Sequence, residues 1–377
     1  IFNKFIIREF NTEIQKQMYR DGMNSEGSIP YHRLVMELFT YSYILAQKND
    51  LVFNSEFKEQ LTNSFVFTNA IMRSDGAMPQ IGDNDGGIFL QFNVKPLTDY
   101  SYLRALGQIT CETTLKEYKK KASIEHILFD HKPVFLNVKE PSLQHFVESG
   151  ITVIKNDDVY FSFYHGLNGQ KGNGGHCHND RLSFTLSYKN EDIFIDPGTG
   201  VYTPFPEIRD KLRSTNSHNT VRVAKVEQNE FYKNGYLFGI NENITQIIVN
   251  AIKNGQAINI EAWHNGYQRN DLGAIHKRTV QYNLTKKEFI ICDFVEQKEE
   301  LESELIFILK KNDDFYLEKT AKGFITNAVN LEFSSFTGFV IEECIYSPTY
   351  GMLSSDKALR ISLSFKRSIT TRIEILT

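Results

Sequence analysis

The sequence predicts a multidomain α+β protein in which an α-helical domain precedes a large antiparallel β-sandwich. Apolar residues recur at spacings of three and four from residue 1 to about residue 115. From about residue 146 they alternate instead, in short runs rich in β-branched and aromatic residues. A chain of 377 residues, 41% of them hydrophobic, is long enough for two buried cores.

The helical stripes are Phe2, Ile6, Phe10, Ile14 and Met18, then Leu34, Val35, Leu38 and Phe39 running on through Ser42 to Leu45, then Phe57, Leu61, Phe65 and Ile71. One internal echo stands out: Arg20-Asp21-Gly22-Met23 returns as Ser74-Asp75-Gly76-Ala77-Met78. It suits a helical hairpin repeated in an array, whose loops gather on one face. Those loops hold Glu26, Tyr31 and His32, then Asp83, Asn84 and Asp85. Residues 116–145 read as a connector between a helical domain over 1–115 and a sandwich over 146–377. The sandwich strands begin with Ile151-Thr-Val-Ile, Val159-Tyr-Phe-Ser-Phe-Tyr, Leu182-Ser-Phe-Thr-Leu-Ser-Tyr, Ile193-Phe-Ile, Thr220-Val-Arg-Val and Phe289-Ile-Ile-Cys.

Composition narrows the partners. With 42 basic and 46 acidic residues the formal net charge is −4, so no global basic field recruits nucleic acid or an anionic membrane. A polyanionic substrate needs a local basic cleft. No apolar run reaches the roughly 20 residues that span a bilayer. Cys111, Cys177, Cys292 and Cys344 are scattered without a CxxC pair, which argues against a disulfide framework. The chain opens IFNKFIIREF, inside a helical pattern and without Met, so N-terminal material, including any signal peptide, is expected to precede it.

The segment Gly174-Gly-His-Cys-His-Asn-Asp places His176 and His178 two apart, on one face if the segment is a strand. Cys177 then points away and reads as a small buried residue. Asp196 follows in Ile193-Phe-Ile-Asp-Pro-Gly-Thr, and His218 in Ser214-Thr-Asn-Ser-His-Asn-Thr. Two imidazoles and a carboxylate, here His178, Asp196 and His218, suit zinc with a fourth position left open. Two hydrogen-bonded histidines and ordinary Asp-Pro-Gly turn chemistry account for the same spacing.

Several motifs in linked order carry a family likeness. Gly175-His-Cys-His-Asn-Asp-Arg-Leu-Ser-Phe, Asp196-Pro-Gly-Thr-Gly-Val-Tyr, Arg213-Ser-Thr-Asn-Ser-His-Asn-Thr and His264-Asn-Gly-Tyr resemble the heparinase II/III-like polysaccharide lyases, and Asp21-Gly-Met-Asn-Ser-Glu-Gly-Ser-Ile-Pro-Tyr-His resembles their catalytic-tyrosine segment. The resemblance implies an incomplete (α/α) toroid joined to the β-sandwich, with Zn²⁺, mainly structural, on His178, Asp196 and His218. It also implies β-elimination on an acidic, uronic-acid-containing polysaccharide or oligosaccharide, in a periplasmic or secreted setting.

That chemistry needs a base for the C5 proton, an acid for the oxygen leaving C4, and a neutraliser for the sugar carboxylate. Tyr31 matches the family tyrosine that serves as acid and also as base; to act as a base near neutrality its phenol must be lowered by nearby positive charge. His176 is the candidate partner base or neutraliser, its alternative being a supporting histidine with no proton role. Glu26 and His32 flank Tyr31. Glu26 either orients the site or belongs to a helix start, since Ser28 and Pro30 precede the second stripe. Arg213 is either a clamp for the substrate carboxylate or a partner of Asp210 or Glu207. Tyr202 and Tyr267 line the cleft or pack as ordinary aromatics. Asp83, Asn84 and Asp85 either meet substrate or simply solvate a loop. Residues 1–30 hold no match to the family's carboxylate-neutralising Asn, which either lies upstream of residue 1 or is lacking. A non-catalytic carbohydrate-binding or surface-polysaccharide assembly protein, and a zinc hydrolase, stand as competing functions, and the sequence leaves room for a homo-oligomer.

Overall fold

The structure is a computed structural model that describes residues 2–92, 95–111, 122–134, 142–233, 235–269 and 272–376. Its first third is helical: α1 (Phe2–Gln17), α2 (Ile29–Lys48), α3 (Ser55–Ile71), α4 (Tyr102–Cys111) and the short α5 (Ile124–Leu128). Local chemistry sets the helix starts. Ser28, in extended conformation, accepts a hydrogen bond from the Tyr31 N–H at 3.2 Å, with proline in the first turn of α2. Asn54 accepts likewise from Phe57 at 2.9 Å and opens α3. Phe39, Tyr43, Phe53 and Phe57 cluster between the helices, the last two stacked at 4.1 Å. The Asp-Gly echo forms two equivalent turns after α1 and α3. Tyr19 N–H donates to Met23 and Arg73 N–H to Ala77, each at 2.8 Å, around Gly22 and Gly76 at φ of 117° and 95°. Within the region read as a connector, residues 116–121 and 135–141 lie outside the described residues, as does residue 115; α5 and the start of the first strand fall in its described parts.

Two antiparallel sheets follow. The strands are β1 (Leu143–Phe146), β2 (Ile151–Lys155), β3 (Val159–Tyr164), β4 (Ser183–Tyr188), β5 (Glu191–Phe194), β6 (Val221–Val223), β7 (Ile247–Asn254), β8 (Ala257–His264) and β9 (Ile275–Asn283). The α-helix α6 (Pro206–Leu212) lies between β5 and β6. The remainder are β10 (Glu288–Glu296), β11 (Ser303–Lys310), β12 (Leu317–Lys319), β13 (Gly323–Thr326), β14 (Val329–Phe333), β15 (Gly338–Glu343), β16 (Ala358–Phe365) and β17 (Ser368–Ile375). Sheet one runs β1-β2-β3-β4-β5-β11-β16-β15, with β6 beside β11, and sheet two runs β12-β13-β14-β17-β10-β9-β8-β7. The core between them includes Phe161, Phe184, Phe289, Val280, Phe307 and Ile373. The sandwich reading therefore holds.

Alternation along β3 shows how the halves join. Val159, Phe161 and Phe163 face the inter-sheet core, whereas Tyr160 and Tyr164, with Ile151 and Val153 of β2, face the helices. Both faces of β2 and β3 are thus buried. The Lys155 ammonium reaches out of β2 to the carbonyls of Asn69, Ala70 and Met72 at 3.2, 3.2 and 3.0 Å, capping the end of α3. Tyr160 donates to Ile71 O at 2.7 Å. The two Asp-Gly turns also dock on the sandwich: Asp21 accepts from the N–H groups of Glu148 and Ser149, and Arg73 pairs with Asp192.

Candidate active site at the seam of helices and sandwich

Three loops meet where α2 begins. The loop after the first Asp-Gly turn carries Glu26, the loop after the second carries Asp83, and the β3–β4 loop carries His176 and His178. Ser28 ties two of them, since its hydroxyl caps Tyr31 and donates to Asp83 O at 2.6 Å. Asp83 N–H donates to His176 O at 2.9 Å and ties the third. The approach is close enough to require glycine: a Cβ on Gly82, at φ 73°, would lie 2.7 Å from His176 O and 2.8 Å from Gly27 O.

Tyr31 and His176 stack at 3.8 Å with a 19° tilt. Tyr31 Oη lies 3.3 Å from Tyr202 Oη, and His176 Nε2 lies 3.3 Å from Glu26 Oε2. Asp83, fully buried, lies below: Oδ2 is 3.2 Å from His176 Nδ1 and 2.5 Å from Arg209 Nη2, and Oδ1 is 3.1 Å from His178 Nε2. Burial by itself would raise the Asp83 pKa, but hydrogen bonds with both histidines and the Arg209 charge hold it well below the usual carboxylate range. The sequence reading asked for a lowered Tyr31 phenol; the structure shows the reverse. Burial pushes it well above its ordinary value, the Tyr202 hydrogen bond offsets only part of this, and Asp85 and Asp83 add to the rise. A phenol raised in this way keeps its proton at neutral pH.

Behind Asp83, ligand atoms of His178, Asp196 and His218 lie within 4.8 Å of one another, all three residues buried. His178 Nδ1 has no hydrogen-bond partner. His218 Nδ1 is 3.0 Å from Asp196 Oδ2 yet not aligned with it for a hydrogen bond, so both nitrogens of that ring stay unsatisfied. Orphaned buried imidazole nitrogens beside a carboxylate are what a cation would satisfy, and the donor set fits zinc. The neighbouring Asn219 fixes the position of His218, donating to Phe184 O and Ile195 O at 2.7 and 2.9 Å and accepting from Ile308 N. Its own carbonyl receives Arg278, which pairs with buried Asp293.

The remaining candidates separate. Tyr202 and Glu26 join the cluster. His32 lies in the helical core, bonded to Thr68 Oγ1 at 2.8 Å and accepting from Asn24 N. Arg213, 1% exposed, is committed to Asp210 at 2.8 Å and to the carbonyls of Leu237 and Gly239, the pairing alternative of the sequence reading. Tyr267 is buried in the sandwich and donates to Val221 O at 2.7 Å. The HxH segment is a loop, not a strand, because the Gly-rich turn before it curls both rings toward Asp83. Cys177 is buried there as expected, accepting from Gly169 N–H. Arg209 is the group sequence reasoning missed, and Asp83 was weighed there only as a substrate contact or a solvated loop residue, not as the buried partner of both histidines.

Solved structures share this architecture. Over 98% of this chain and 55% of theirs, a heparinase III, the BT4657 gene product, aligns at TM-score 0.74 and 19% identity, and the heparan sulfate lyase HepC of Pedobacter heparinus at 0.73 and 18%. The chondroitin AC lyase of Streptomyces coelicolor A3 aligns at 0.53 and 9% identity over 97% of this chain and 56% of that one. The chain spans just over half the length of these structures. No curated protein matches the sequence. Helices and sandwich thus share the fold of these structures. The heparinase II/III-like C-terminal family matches residues 138–376 and the heparinase II/III N-terminal family residues 2–92, and the chain belongs to the heparinase II/III-like family.

Proposed function

We propose that the protein is a lyase for an acidic, uronic-acid-containing polysaccharide, with Tyr31 as acid and His176 as base. One observation carries this reading: a protonated phenol stacked on an imidazole at 3.8 Å, so that donor and acceptor sit side by side, both only partly buried. In the elimination the C5–H bond breaks and its proton passes to His176 Nε2, where Glu26 stabilises the new charge. The C4–O bond breaks as Tyr31 donates its proton to the departing oxygen, and the electron pair becomes a C4–C5 double bond. His178, Asp196 and His218 would hold zinc, which when bound supplies a fixed charge that braces the loops. We read α1 to α4 as part of an (α/α) toroid. Such a polymer lies outside the cytoplasm, which suits a periplasmic or secreted enzyme.

The test is a panel of uronic-acid polymers, heparan sulfate and alginate among them, followed by the ultraviolet absorbance of the unsaturated product. Absorbance rises with the native protein, and Tyr31→Phe lowers the rate by at least about 100-fold. Full activity in that variant overturns the assignment of Tyr31. Binding without product favours the carbohydrate-binding reading, and saturated products favour hydrolysis.

A further inference from the structure

Asp83 does more than fill the seam. Its two carboxylate oxygens address different imidazoles: Oδ1 the buried His178 of the metal group at 3.1 Å, and Oδ2 the His176 that stacks on Tyr31 at 3.2 Å. We propose that Asp83 is a positioning residue that sets the tautomers of both histidines at once, linking metal capture to the readiness of the proton acceptor. The His176 half of this proposal rests on the lyase reading.

An ionised carboxylate only accepts hydrogen bonds, so each ring must present N–H to it. His178 then carries its proton on Nε2 and leaves Nδ1, the atom without a partner, as a lone pair for the cation. His176 carries its proton on Nδ1, which is aligned with Asp83 Oδ2, and leaves Nε2 bare, because Glu26 Oε2, though 3.3 Å away, is not aligned with that nitrogen for a hydrogen bond. Arg209 completes the arrangement. Its Nη2 binds Asp83 Oδ2 at 2.5 Å and Gly175 O at 3.1 Å, while Nη1 holds Leu237 O, so the carboxylate cannot rotate away from either ring. Asp83 comes from the helical half and both histidines from the sandwich, so the tautomers depend on the two halves being seated together.

The experiment uses the full chain stripped with chelator and titrated with Zn²⁺, with folding checked by circular dichroism. Asp83→Asn keeps the size but replaces a pure acceptor with a group that also donates. It should weaken zinc binding by about 10- to 100-fold. At saturating zinc its kcat should stay at least about 10-fold below wild type with KM little changed, because the second imidazole remains unset. Long-range ¹H–¹⁵N spectra of the zinc-loaded wild type should show His176 as the Nδ1–H tautomer, and mixed tautomers in Asp83→Asn. Unchanged zinc affinity, or full recovery of kcat at saturating zinc, overturns the dual role. The wild-type spectrum decides the matter even if the variant does not fold: His176 protonated on Nε2 with Nδ1 bare sinks the proposal. Zinc affinity and tautomer are read without turnover. A wild type that binds zinc with these tautomers but forms no product therefore overturns the lyase reading and leaves standing only the tautomer setting by Asp83, without its link to a proton acceptor.

Discussion

Two buried histidines away from the metal group make acid the stress this protein should feel. Burial pushes the His32 imidazole down to about 3, and burial aided by the His145 charge does the same to His165. An unfolded histidine titrates near 6.5, so below that pH the unfolded chain binds protons the folded one refuses. Stability from these groups is complete above about 6.5 and falls as pH drops toward 3, by up to about 1.4 kcal/mol per pH unit for each. Urea midpoints between pH 7 and 5 should therefore decline, and more shallowly in His32→Gln; parallel slopes would contradict this. At the same scale, the grouping of His178, Asp196 and His218 was legible because these residues stand in marked surroundings of Gly, Pro and Asn. Asp83 was not. In Asp83-Asn84-Asp85 it is indistinguishable from a solvated turn, and only its burial reveals the role. The two arginines near α6 differ likewise only in where the helix aims them, Arg209 at Asp83 and Arg213 at Asp210.

Loops, more than helices or strands, carry the chemistry, and their fit is tested by glycine. A methyl on Gly82 meets backbone on every side, at 2.7 Å from His176 O and 3.0 Å from Ser28 Cα, none of which can swing aside. Gly82→Ala should cost more than about 1 kcal/mol in urea unfolding and abolish turnover by displacing His176. Gly255, in the β7–β8 turn, also has a positive φ of 58° but open space around it. Gly255→Ala should cost about 1 kcal/mol and leave turnover intact; equal activity losses would mean that backbone strain, not seam contact, is what matters. Strand identities were readable because inward and outward residues alternate so strictly in β3 and β4. Whether the histidine segment was strand or loop could not be read from it, because HxH has the same period of two whether or not the chain is extended. β1 was absorbed into the connector because Leu143-Gln-His-Phe has too few apolar residues to declare itself.

The whole molecule is held at the face where sheet one meets the helices. Lys155→Met should remove the cap on α3 and take its donor from the buried carbonyls of Ala70 and Met72, a loss of about 2–3 kcal/mol. Amide exchange would quicken first at the end of α3 while the inter-sheet core around Phe161 stays protected; uniform loosening of both would show that the halves do not open separately. Helical period in one half and strand period in the other made two domains legible, but not their orientation. That depends on Tyr160, Lys155 and the Asp-Gly turns, ordinary residues until the partner surface is known. The double burial of β2 and β3 has a practical consequence for anyone dividing this chain. Cut from its helices, the sandwich would offer water a ready-made strip of Ile151, Val153, Tyr160 and Tyr164 beside the short edge strand β1, so the fragment invites self-association and is poorly suited as a soluble reagent.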